Sequence, residues 1–184
     1  MAVFSVPRYD RQSTDYMEKL ISSLWNTRLP LIFQKGYGVF SNSSDAVVEG
    51  FCMVQSAQQR YLRIRVHHME LRIEAWKTQE EVIQVADKMG RYFYQLRFQA
   101  FVMAVKYSNG YLVEIIVNAV SYVDGRAFHD NNRNYREVLR YLRSIAPYDW
   151  KITVADNVFF QSGADAGNYE KGVLLYERKA GSDL

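Results

Sequence analysis

A single cysteine, Cys52, stands in a chain of 184 residues. One thiol excludes a disulfide framework, so the fold must rest on its apolar core, as suits a reducing compartment. Cys52 lies in an apolar stretch and reads as a core residue. No run of ~18 apolar residues occurs, so no membrane-spanning helix is expected. Met1 to Asp10 lacks an apolar core bounded by small residues, so no secretion signal is expected and the chain reads as cytoplasmic. Internal repeats and low-complexity tracts are missing as well. So are the phosphate loop, the dinucleotide fingerprint, zinc-type cysteine pairs and the nucleophile elbow, and no cofactor is expected. What the chain does have is 48% hydrophobic and 15% aromatic residues at a net charge of +3, which excludes a disordered chain. A chain of this size forms one domain and buries roughly 70% of its unfolded surface.

The small net charge conceals an uneven distribution. Residues 1–59 hold five basic and five acidic side chains, 60–143 hold 14 and 9, and 144–184 hold 4 and 6. Eleven of the 15 arginines fall in the middle segment. Arginine presents a rigid fork of donors that matches phosphate or carboxylate, so this segment points to an anionic partner.

Periodicity outlines the elements. Ser13-Thr14-Asp15 precedes Tyr16, Met17, Leu20, Ile21, Leu24 and Trp25, whose spacing of three and four predicts a helix ending before Pro30. Gly36-Tyr37-Gly38 and Ser41-Asn42-Ser43-Ser44 read as loops. Val47 to Gln55 and Tyr61 to Glu74 read as strands, the second with a change of phase that predicts a bulge or turn near His67-His68. Thr78-Gln79-Glu80-Glu81 is a capping box ahead of the apolar stripe Val82 to Leu96. Phe98 to Tyr107 and Tyr111 to Val123 read as central strands joined by Ser108-Asn109-Gly110, a strong hairpin signal. A second amphipathic helix is expected over about 132–146, and strands over Trp150 to Phe160 and Gly172 to Arg178.

Strand, helix, strand, strand, helix, strand is thus the order over 61–160. That order predicts an α+β fold: a ferredoxin-like split βαβ antiparallel sheet with two covering helices, plus an N-terminal helix and extra strands at both ends. On this reading 1–184 is a single domain. Residues 1–59 extend it with a helix and strand, 60–160 form the core, and 161–184 add a loop and strand.

The most informative stretch runs from Ile115 to His129: Asn118, then Val120-Ser121-Tyr122, Asp124-Gly125, Arg126, Phe128 and His129. It resembles the core of plasmid and transposon relaxases of the HUH type, the mobilisation nucleases that nick DNA before transfer. Asn131-Asn132-Arg133-Asn134-Tyr135-Arg136 is similar to the polar opening of the next helix in that family. The resemblance covers about residues 60–150 and implies a mobile genetic element as the source of the chain. Relaxases hold a divalent metal with closely spaced histidines on one strand face, and a tyrosine attacks the polarised phosphate. Counting back from Asn118 on that face, the positions are Gly110, Leu112 and Glu114, and none is histidine. Tyr9 has no evident partner, and Tyr16 belongs to the first helical stripe.

The chain therefore reads as a degenerate relaxase without catalytic residues, which acts by binding DNA or RNA. Its expected contacts are Arg63, Arg65, Arg126, Arg133, Arg136, Arg140 and Arg143. Two alternatives stand beside this reading. One is a protein-directed inhibitor of a host defence nuclease, an anti-CRISPR-like effector acting on a nucleoprotein complex. The other is a residual metal-dependent nickase using Glu114 with His67 or His68, three weak metal ligands at best. Because adjacent His67 and His68 point to opposite faces of a strand, they are not expected to chelate one ion together, and two ligands rarely hold a catalytic metal.

Overall fold

A computed structural model describes residues 1–7, 15–59, 62, 64–155 and 158. In chain order the elements are β1 (Ala2–Ser5), α1 (Tyr16–Trp25), β2 (Leu31–Tyr37), α2 (Ser44–Ala57), β3 (Val66–Glu74) and α3 (Gln79–Gln95). Then follow β4 (Phe98–Tyr107), β5 (Gly110–Ser121), α4 (Asn132–Ile145) and β6 (Ile152–Val154). The fold is α+β, with one six-stranded mixed sheet in the order β2-β4-β5-β3-β1-β6. All neighbours are antiparallel except β1 and β6, which run parallel. No helix among the described residues is long and apolar enough to cross a membrane.

Each face of the sheet has its own core. Phe4, Met69, Leu71, Ile73, Val102, Val113 and Ile115 pack under α3 and α4. Val66, Phe101, Met103, Val105 and Ile116 pack under Met17 and Ile21 of α1 and Val47 and Phe51 of α2. Alternate residues of β4 and β5 serve the two cores, which explains why these strands are apolar along both faces. Every fully buried Phe or Ile in these cores contributes about 1.5–3 kcal/mol relative to exposure.

Local chemistry accounts for the element ends. Thr78 Oγ1 accepts from Glu81 N–H, and the Glu81 carboxylate accepts from Thr78 N–H, so the capping box starts α3 as expected. Asn131 Oδ1 accepts from Asn134 N–H at 2.9 Å and starts α4. Gly110 closes the β4–β5 turn at φ +149, and a Cβ there would lie 1.9 Å from the Ile73 carbonyl oxygen. Only glycine fits.

Several expectations need correction. Val47 to Gln55 is not a strand but the body of α2, in which Val47, Phe51 and Gln55 are buried one turn apart. Ser43 caps this helix, accepting from Ala46 N–H at 3.1 Å. Gly36 and Tyr37 are not loop residues; they end β2. The strand expected from Tyr61 begins at Val66, and its pairing with β5 is unbroken from Val66↔Asn118 to Glu74↔Gly110. No bulge interrupts it. The change of phase arises because Leu62 and Ile64 precede the strand, while Tyr61 and Arg63 lie outside the described residues.

Two further differences concern the sheet edges and faces. Among the described residues the strand expected over Trp150 to Phe160 covers Ile152–Val154; 156–157, 159–160 and 172–178 lie outside them. Two strands are unexpected: β2, which pairs the outer side of β4, and β1, which enters between β3 and β6. The two covering helices expected, α3 and α4, share one face of the sheet, while α1 and α2 cover much of the other.

Candidate functional site

Residues 115–136 build the end of β5, a turn and the start of α4. Asn118 is fully buried in β5 and ties that strand to α2 and β4. Its Nδ2 donates to the Phe51 carbonyl at 3.1 Å and to Gln99 Oε1 at 2.9 Å, while its Oδ1 accepts from Gln55 Nε2 at 2.9 Å. Ser121 Oγ accepts from the backbone N–H groups of Val123 and Asp124, and Gly125 takes φ +66, so the chain reverses there. A hydrogen bond with Ser121, helped by Arg126, holds the Asp124 carboxyl below its usual range. Phe128 then plugs the α3–α4 core, edge-on to His67, Phe93, Phe98 and Tyr135.

Beyond the turn, exposed cations collect. Arg126 donates to the Leu96 carbonyl at 2.8 Å and lies over the Phe98 ring. With His129, Arg133 and Tyr92 it lines a cleft of about 550 Å³ between α3, α4 and the turn. On the other side of α4, Arg136, Arg140 and Arg143 line a second groove of about 340 Å³ beside Val154. At ~100° per residue, Arg133, Arg136, Arg140 and Arg143 fall within roughly a quarter of the helix circumference. All four are exposed. Arg140 is paired with Glu137 on the same helix.

Arg65 belongs elsewhere. It donates to Glu18 at 2.8 Å, to Gln55 Oε1 at 3.1 Å and to Cys52 Sγ at 2.9 Å, and so clamps α1 and α2 together. The structure therefore gathers Arg126, Arg133, Arg136, Arg140 and Arg143 around α4 and spends Arg65 internally. Arg63 lies outside the described residues, as does Tyr9. Tyr16 packs against the α1–α2 core.

A second constellation lies on the opposite face of the sheet. His68 and Glu70 are two apart on β3 and share a face, and Glu70 stands directly across from Glu114 of β5. His68 Nε2 is 2.5 Å from Glu114 Oε2 and 4.0 Å from Glu70 Oε1. One ligand atom from each of the three residues lies within 4.8 Å of the others, and all three are buried. Glu70 Oε2 also accepts from Ser5 Oγ of β1 at 3.3 Å and from Arg72 at 3.1 Å. Burial, and then the Glu114 charge, push the Glu70 carboxyl above its usual range, against the pull of His68 and Arg72.

His67 points the other way, against Phe128, so the two histidines cannot share an ion. Leu112 packs against the apolar cluster under α1 and α2, and Gly110 is fixed by its turn. Glu114 is thus the only one of the three relaxase-type positions with a metal-ligating side chain. Glu70 escaped the sequence reading, although its place two residues beyond His68 on a strand was a usable signal. Comparison with known proteins finds no matching family model, no matching curated sequence and no matching solved structure.

Proposed function

We propose that the chain is a relaxase-like protein that has lost nicking chemistry and binds single-stranded nucleic acid, DNA or RNA, across α4 and the turn before it. The observation that carries this reading is the set of five exposed arginines in two grooves flanking one helix. Phosphates meet guanidinium forks there, and Tyr92, stacked on Tyr141 with ring centroids 4.2 Å apart, lines the cleft wall. We read β3-α3-β4-β5-α4-β6 as a split βαβ frame into which β1 has been inserted between the first and last strands. Leucine at position 112 and a turn glycine at 110 argue against relaxase-type metal chemistry on β5.

Fluorescence anisotropy with a labelled oligo(dT) and an oligo(U) tests the proposal. Affinity should fall steeply with salt, with a log–log slope of about −0.7 per neutralised phosphate. Replacing Arg133, Arg136, Arg140 and Arg143 together by Gln should weaken binding at least ~10-fold and flatten that slope. Supercoiled plasmid incubated with Mg²⁺ or Mn²⁺ should remain unnicked. Absence of binding at low salt, or equal binding by the quadruple variant, would sink the reading and favour a protein-directed effector.

A further inference from the structure

We propose that His68, Glu70 and Glu114 bind a first-row divalent cation of the Zn²⁺ or Mn²⁺ class between β3 and β5. This inference is independent of nucleic-acid binding. It starts from register. Two carboxylates directly opposite each other on neighbouring strands repel, and here both are buried, where charge is costly. Among the described residues, Arg72 offsets Glu70, and the group that meets Glu114 is the imidazole of His68. An imidazole can bring at most one positive charge to this pair of acids; a divalent ion brings two and satisfies lone pairs on all three side chains.

Geometry and donor chemistry agree with that assignment. Bonds of ~2.1 Å in a tetrahedral site put ligand atoms about 3.4 Å apart. The observed 2.5 Å and 4.0 Å from His68 Nε2 to the two carboxylates straddle that spacing, so small side-chain rotations complete the set. One imidazole with two carboxylates suits zinc or manganese better than calcium or magnesium, which prefer all-oxygen shells. Outer partners are in place too. Ser5 Oγ and Arg72 hold Glu70 Oε2, leaving Oε1 turned toward His68, as supporting residues do around metal ligands.

The three residues are 5–8% exposed, so the site is closed. With three protein ligands the fourth tetrahedral position of an ion held there falls to a water, and burial of the site keeps a phosphate from reaching it, which sets it apart from a nicking centre.

Isothermal titration of the full chain, stripped with a chelator and titrated separately with ZnCl₂ and MnCl₂, tests the proposal. One ion per chain should bind, with proton release that appears as a buffer-dependent enthalpy and with a higher unfolding temperature. Glu70→Gln and Glu114→Gln keep side-chain volume and should each weaken binding at least ~10-fold while the apo chain remains folded by circular dichroism. His68→Gln should do the same. If neither ion binds the wild-type chain, or if folded Glu70→Gln and Glu114→Gln bind as tightly as wild type, the proposal is wrong.

Discussion

Asn118 shows how one residue can belong to a motif and still serve the fold. Its amide joins β5 to the Phe51 carbonyl of α2 and to Gln55 and Gln99, all within the interior. Removing it takes the Asn118 amide donor from Gln99 Oε1, at about 1–3 kcal/mol for a buried group left unsatisfied, whereas Gln55 Nε2 keeps the Arg65 carbonyl at 2.9 Å. Asn118→Ala should therefore lower stability in urea unfolding by about 1–3 kcal/mol, and a change under ~1 kcal/mol would mean that water replaces the amide. The same scale explains what sequence could say about the buried cluster. His68 and Glu114 were legible as metal-capable residues, because their types are rare on an apolar strand. Glu70 was not, because its meaning depends on standing opposite Glu114, and cross-strand register is absent from a linear sequence.

At the level of elements, α3 is anchored to the edge strand β2 by one carboxylate. Burial pushes Asp87 up, but hydrogen bonds from Arg91, Lys35 and Tyr37 outweigh it and bring its carboxyl to about 2. A carboxyl depressed in the folded state adds stability above its ordinary 3.8 and loses it as pH falls toward about 2. Asp87→Asn should remove that contribution, so the stability gap between wild type and variant should be constant above pH ~4 and shrink below it. A denaturant series across that pH range measures the gap, and a gap that stays constant to pH ~2 contradicts the assignment.

Legibility at this scale follows local signals. The helix α3 and the β4–β5 hairpin were readable because a capping box and an Asn-Gly turn fix their ends. The helix α2 was misread as a strand because Val47, Val48, Phe51, Cys52 and Val54 make an apolar run dense enough for either period. Ser43, which caps the helix, is the local signal that separates it from a strand. Too short to show any periodicity, β1 left no mark at all.

Across the whole molecule, the sheet is most strongly built at its middle and thins toward its edges. Strands β4 and β5 are buried along nearly their full length, whereas β2 and β6 are largely half-exposed. Native-state hydrogen exchange should therefore be slowest at Val102, Val113, Ile115 and Val117 and fastest in β2 and β6. Protection in β6 equal to that of β5 would contradict this order. Charge is arranged on the same scale: the arginine surface lies on the α4 side, while the buried acid pair lies across the sheet from it.

The insertion of β1 also governs the order of assembly. Phe4 is flanked by Leu71 on one side and Val154 on the other, so β1 joins segments that are far apart along the chain. Closing such loops costs entropy before any contact returns it, whereas the β4–β5 hairpin closes over two residues. The hairpin and α3 can form early, and β1 can dock only after β3 is in place. Until then β3 has a free edge from Glu70 to Ile73. An ion that bound His68, Glu70 and Glu114 at that stage would hold the β3–β5 pairing in place before β1 closes the other edge of β3.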